Sequence, residues 1–322
     1  MEHWKIPSTT PRIADDLAWW VQLSEAKHIG PQRFRHLLTL FPDPHTVLTA
    51  PPDAIQSSKA LPRRAVEGLL SQRDKHSHYL ALMEQQLQLA ERSDAHILRY
   101  TDDLYPWLLR ESPVGPPVLY ARGNLKPVSE TKRAVAVVGT RRASPIALEF
   151  ARTLCGDLAR SGWCVVSGMA KGIDAAAHDG ALLGQGLTAA VLGCGADVVY
   201  PRENKAIYER ILQQGAVFSQ YPFSTRPSAA HLQRRNKLTV GFSAAVVIIQ
   251  TGVKGGTMNA YRAALDEKKP VFVYAPRDIE GDEWGGNRLI LDKGGIPLAD
   301  DSPIALVETH VAQVRPVQGN PI

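Results

Sequence analysis

Between residues 134 and 276, short uninterrupted apolar runs alternate with stretches in which apolar residues recur every three or four positions. AVAVVG (134–139), WCVVSG (163–168), LTAAVL (187–192), AAVVII (244–249) and PVFVYAP (270–276) are rich in small and β-branched residues with no polar alternation. Such runs predict strands buried on both faces. Ala216–Ser219 predicts one more short strand. After the first run, Leu148, Ala151, Leu154 and Leu158 make a single apolar stripe, with Pro145 suited to a helix start and Gly162 to its stop. Helices are predicted over 204–214 and 228–243 and in GGTMNAYRAALDEKK, while GGNRLILDKGG and IPL close the pattern. Repeated strand–loop–helix units predict an α/β fold: a doubly wound, mostly parallel, Rossmann-like sheet with helices on both faces.

The first part of the chain reads differently. After a polar, loose stretch over 1–12, the period is helical from Asp15 to about Ala90, predicting a small all-helical domain of helix-hairpin-helix or SAM-like type. Short helices fall around 45–49, 53–57 and 62–71, and a longer one over 79–92. Ile29-Gly30-Pro31 is the corner of a helical hairpin, with Gly30 allowing the bend and Pro31 starting the next helix. Such a hairpin either presents N–H groups to DNA phosphates or belongs to a bundle used for packing. Ala95–Tyr100 predicts a strand. A proline-rich connector follows, with a strand at 118–122 that joins the sheet or braces its edge. The expected division is 1–92 helical domain, 93–310 Rossmann-like domain and 311–322 flexible tail.

Composition changes this picture little. The 322 residues are 44% hydrophobic and 21% charged, ordinary for a globular protein, and a net charge of +5 tilts mildly toward a polyanionic partner. Cys155, Cys164 and Cys194 have no CxxC spacing and read as reduced, buried residues of a cytoplasmic protein. No signal peptide or membrane-spanning run is expected. The chemistry lies in the loops that follow the strands, where open α/β sheets hold their ligands. GTRR and SGMAKGID have the features of an anion site: Gly139, Gly168 and Gly172 permit close backbone approach, and Arg141, Arg142 and Lys171 supply charge. In HLQRRNKLT, Arg234, Arg235 and Lys237 crowd beside Asn236. There is no acidic residue between Arg226 and Ala264, which favours a phosphate-tracking groove over a solvated face.

Other motifs point away from catalysis. GCGADV lacks the third glycine of a dinucleotide fingerprint and reads as a tight turn, and GVKGGT does not fit the phosphate-loop pattern of ATP-hydrolysing proteins. His76 and His78 read as a solvated helix face, Asp174 as a helix cap, and His178 as a packing group. No catalytic residue, metal ligand or cofactor is assigned.

VVGTRRAS, SGMAKGIDAAAHDGAL, YP…PPVLYARGN and RRNKLTVGFS, in their order along the chain, together resemble the DNA-processing protein A (DprA, or Smf) family. The resemblance runs from about Leu17 to Leu298. It implies a non-catalytic protein that binds single-stranded DNA, forms a homodimer through the α/β domain, and assists loading of the recombinase RecA in recombination or natural transformation. By the resemblance, phosphates fall to Arg141, Ser167, Gly168, Lys171, Arg235, Asn236 and Lys237. Gly139, Thr140, Arg142 and Gly172 in the first two loops, Arg234, and Lys254, Gly255, Gly256 and Thr257 complete the expected DNA-binding set. Arg141 and Arg235 are expected at loop or surface positions that tolerate alanine. The chain departs from the family pattern in three places. Leu232 stands where relatives carry an aromatic, and reads either as a weaker base contact or as core. Gln250-Thr251 and Lys254-Gly255-Gly256-Thr257 replace a usual glutamate and serine-glycine-serine phrase, and the winged-helix domain of many relatives is expected to be missing. A second reading is a nucleotide sensor or phosphoribohydrolase-like enzyme built on the Gly255-Gly256-Thr257 loop. Against it, Asn259 and Tyr261 stand near where those enzymes place a glutamate.

Overall fold

The computed structural model describes residues 10–58, 60–277, 280–299 and 304–313. The chain divides into two compact units, one running to Asp102 and including Pro116–Leu119, the other formed by 103–115 and the chain from Tyr120 onward. Residues 1–9 of the expected loose start lie outside the described residues, as do 314–322 of the expected tail; residues 311–313 end a helix.

The first unit contains α1 (Thr10–Ser24), α2 (Pro31–Leu40), α3 (Pro44–Thr49), α4 (Pro52–Ser57), α5 (Arg63–Leu70), α6 (His76–Arg92) and β1 (Ala95–Arg99). Prolines open α2, α3 and α4, where their missing N–H costs nothing. Asp43 caps α3 by accepting from the Thr46 N–H at 2.7 Å. Leu23, Phe34, Leu37, Leu48, Ile55, Leu69 and Met83 fill the core. The corner before α2 does not work as expected. Gly30 is extended (φ −87°, ψ 177°) with open space where a side chain would go, and the left-handed residue is His28 (φ 67°). Helix α1 packs chiefly on α6 and α3 rather than on α2. Nor is His76 a solvated residue: its ring stacks on Trp19 with centroids 3.4 Å apart, and its Nε2 meets Asp15 at 2.8 Å.

The second unit begins with α7 (Trp107–Glu111) and, after β2 (Val118–Gly123) has crossed from the first unit, α8 (Leu125–Glu130). It continues β3 (Ala134–Val138), α9 (Pro145–Arg160), β4 (Cys164–Ser167), α10 (Ile173–Leu183), β5 (Thr188–Leu192), α11 (Lys205–Gln214), β6 (Ala216–Ser219), α12 (Ala229–Gly241) and β7 (Ala245–Ile248). The last elements are α13 (Gly256–Asp266), β8 (Val271–Tyr274), α14 (Gly285–Asp292), β9 (Ile296–Leu298) and α15 (Ile304–Gln313). The strand order is β1-β2-β6-β5-β4-β3-β7-β8-β9. Strands β3 to β9 are mutually parallel, and β2 runs antiparallel to β6, so the connector strand joins the sheet.

The two-residue period of the strands builds two cores. Val135, Val137, Ala245 and Val247 face α9, α10 and α15, whereas Ala136, Val138, Val246 and Ile248 face α12, α13 and α14. The chain winds outward from β3 to β6, then returns to lay β7 on the other side of β3. The loops after β3 and β7 therefore leave toward opposite faces. A crevice opens between them at the carboxyl ends of the strands.

Candidate nucleic-acid interface

That crevice is a cleft of about 500 Å³. Its walls come from Val138–Arg142 after β3, Gly168, Ala170 and Asp174 after β4, one face of α12, and the segment between β7 and α13. The β3 loop is held from beneath by Gln250. Its backbone oxygen accepts from Thr140 N at 2.8 Å and its side-chain oxygen from Ser144 N at 2.8 Å. Ser144 in turn caps α9. With the loop base tied, Arg141 and Arg142 are left exposed at the rim.

The loop after β4 is shaped by what its glycines admit. Gly172 has φ +77°, and a Cβ there would lie 2.4 Å from the Thr140 carbonyl oxygen. At Gly168 a Cβ would fall 1.5 Å from Nη1 of Arg235. The close approach at Gly168 is therefore made by a side chain of the protein itself. Arg235 is only 4% exposed; its Nη1 donates to Val191 O at 2.8 Å and its Nη2 lies 3.9 Å from Asp174. Burial pulls its pKa down and Asp174 pushes it back up, while burial raises the Asp174 carboxyl against the pull of Arg235. A guanidinium keeps its proton in proteins. Arg235 is thus a fixed cation in the floor of the cleft, which corrects the expectation of a surface position.

Other assignments shift in the same way. Ser167 is fully buried and donates its hydroxyl to Val137 O at 2.6 Å, so it braces β4 against β3. Asp174 does not cap α10, whose N-cap is Gly172; its Oδ2 accepts from Ala170 N at 3.3 Å, holding the loop before the helix. Helix α12 divides its basic motif. Leu232, Arg235 and Asn236 turn to the cleft, whereas Arg234 and Lys237 are exposed away from its lining. Asn236 Nδ2 donates to Gly256 O at 3.1 Å, joining α12 to the first residue of α13. Leu232 is half-buried against Gly193 and lines the cleft wall, so it is neither an open platform nor a core residue facing the sheet.

Lys254, Gly255, Gly256 and Thr257 line the opposite wall where α13 begins, and the amino end of that helix favours negative charge. Lys171 is exposed and paired with Glu203 at 2.6 Å, which holds that carboxyl below its usual range. Gln233 and Thr251 also line the cleft and were not anticipated, since a neutral amide or hydroxyl carries no signature in sequence. Near the GGT loop, Asn259 accepts from Arg262 and Tyr261 is buried, so no carboxylate comes from that helix turn.

The remaining reactive groups are buried. Burial pushes the Cys164 thiol up to about 12 and raises Cys155 and Cys194 as well, away from any thiolate role. His178, as expected, is a packing group: its Nδ1 lies 2.7 Å from Thr188 Oγ1. Thr188 spends its own proton on Val165 O. Nδ1 must therefore be the donor, leaving Nε2 unprotonated and unpartnered. Among the described residues no group of three or more potential metal ligands occurs, and no helix is long and apolar enough to cross a membrane.

Comparison with known proteins completes the site's description. Residues 96–305 match the family model of DNA recombination-mediator protein A. Protein Smf of Synechocystis sp. is 30% identical over 300 residues, covering 88% of this chain and 74% of that protein. The putative DNA processing protein DprA of Mycobacterium tuberculosis is 34% identical over 230 residues, 67% of this chain and 58% of that one. Among solved structures, DNA processing protein A of Streptococcus pneumoniae superposes with a TM-score of 0.69 at 25% identity, covering 91% of this chain and 95% of its own. The Helicobacter pylori protein, whose structure concerns its single-stranded DNA binding mode, superposes at 0.59 with 30% identity, covering 67% and 94%.

Proposed function

Because the chain belongs to the DNA recombination-mediator protein A family, we propose that it binds single-stranded DNA in the cleft between β3 and β7 as part of DNA processing in recombination. The observation that carries this reading is the cleft itself. Exposed Arg141, Arg142 and Lys254 ring a crevice whose floor holds the buried cation of Arg235 and whose wall includes the amino end of α13. A concave, positive groove at loop ends suits a flexible strand whose phosphates and bases turn separately. Reading a duplex through its major groove would need a convex helix or ribbon, and the cleft-facing part of α12 is recessed in the wall. The role follows as protection of an exposed or incoming strand and its transfer to the recombinase RecA, by a homodimer acting without catalysis.

A titration with a labelled oligonucleotide tests this. Single strand should bind well ahead of a duplex of equal length at matched salt. Arg141→Ala should weaken binding and flatten the log–log salt slope by about 0.7, the value for one lost phosphate contact on a single strand. Equal affinity for both forms, or ready displacement of the oligonucleotide by nucleoside monophosphates, would contradict the proposal.

A further inference from the structure

Beside the main cleft, the carboxyl ends of β4 and β5 open into a second hollow of about 70 Å³ lined by Arg141, Lys171, Gly193, Leu232 and Tyr200 among others. At about 10–15 Å³ per water, it has room for roughly five waters, and Leu232 and Arg141 belong to both spaces. Tyr200 is the only exposed Phe, Tyr or Trp among the described residues, with 38% of its surface open. No ring packs on it, and its hydroxyl has no hydrogen-bond partner among those residues.

The mount of this ring is fixed. Immediately after it, residues Pro201 to Asn204 close a turn through Asn204 N, which donates to Pro201 O at 3.1 Å. The buried Asn204 side chain donates to Met169 O at 2.8 Å and Ala170 O at 3.3 Å. Glu203 pairs with Lys171. Further along, Tyr208 Oη donates to Ala196 O at 2.6 Å, closing the segment on itself. The segment bearing Tyr200 is thus clamped to the loop bearing Lys171, and an apolar ring is held open beside two exposed cations. Fixed aromatic faces next to phosphate-binding cations are what sequence-tolerant stacking of nucleobases requires.

We propose that Tyr200 is a stacking platform for one base of the single strand, next to the nucleotide whose phosphate Arg141 engages. It would supply the aromatic contact that Leu232 does not. This inference rests on the DNA-binding reading above. The test uses the full chain and a short oligothymidylate. Tyr200→Ala should lower affinity about 5- to 150-fold, the range of one base–aromatic stack, with the salt slope unchanged because stacking releases no counterions. Tyr200→Trp should keep the affinity. An abasic position walked along the oligonucleotide should weaken the wild type at one register and leave Tyr200→Ala unaffected there. Photo-crosslinking of the wild type to 5-iododeoxyuridine should map to Tyr200, and this readout stands even if the alanine variant fails to fold. Wild-type affinity in Tyr200→Ala beside weakened Arg141→Ala would overturn the platform and leave the cleft intact; so would a crosslink map without Tyr200. A wild type that binds no oligonucleotide would overturn both.

Discussion

Arg235 shows how a single side chain can belong to a binding site without being presented to the ligand. Its guanidinium passes through the space that Gly168 leaves by lacking a Cβ, and it ends on Val191 O and beside Asp174. Removing one partner of a buried ion pair leaves the other charge uncompensated, at a cost of about 3–5 kcal/mol. Arg235→Ala is therefore expected to destabilise the fold by a few kcal/mol as well as weaken binding, in contrast to the exposed Arg141. Gly168→Ala should cost about 1–3 kcal/mol through overpacking alone. Urea denaturation of these two variants, with Arg141→Ala as the exposed control, checks this. Arg235→Ala and Gly168→Ala unfolding at the wild-type midpoint would mean that the guanidinium is free to leave its place.

At the scale of elements, α10 is tied to β5 through His178 and Thr188. Burial and the positive charge of Arg235 hold the His178 pKa down at about 3, from an ordinary value of 6.5. Below pH 6.5 the unfolded chain takes up a proton that the folded chain refuses. Stability from this group is therefore complete above pH 6.5 and lost progressively toward pH 3, by about 1.4 kcal/mol per pH unit. Between pH 7 and pH 5 the wild type should lose about 2 kcal/mol more than His178→Gln, read from urea midpoints at each pH. Parallel curves for the two proteins would show that the ring is protonated in place.

Much of this architecture was legible. Strands such as AVAVV and AVVI announce burial on both faces because nothing polar interrupts them. Helices α7 and α8 left no pattern, since the prolines at 106, 113, 116, 117 and 127 make their stretch read as an irregular connector. Arg235 was misread because α12 buries a charged residue on its inner face, which a hydrophobicity pattern reports as surface. Arg234 and Lys237 crowd beside it in the sequence, and the helical phase sends them to the exposed face. Tyr200 left no mark at all, because its place depends on Asn204 reaching back to the β4 loop.

For the α/β unit as a whole, the strand order decides where a ligand can bind. The return of the chain from β6 to β7 puts the sheet's switch point between β3 and β7. Three loops distant in sequence converge on that crevice: 139–142, 168–172 and 252–257. The central claim is that a single strand lies there. Hydrogen exchange of the full chain with and without a saturating single-stranded oligonucleotide tests it most directly, because the loop N–H groups themselves are read. Those three loops should exchange more slowly in the presence of the strand, with the helices between residues 10 and 92 unchanged. Protection confined to those helices, or absent from the three loops at a concentration that saturates binding, would contradict it.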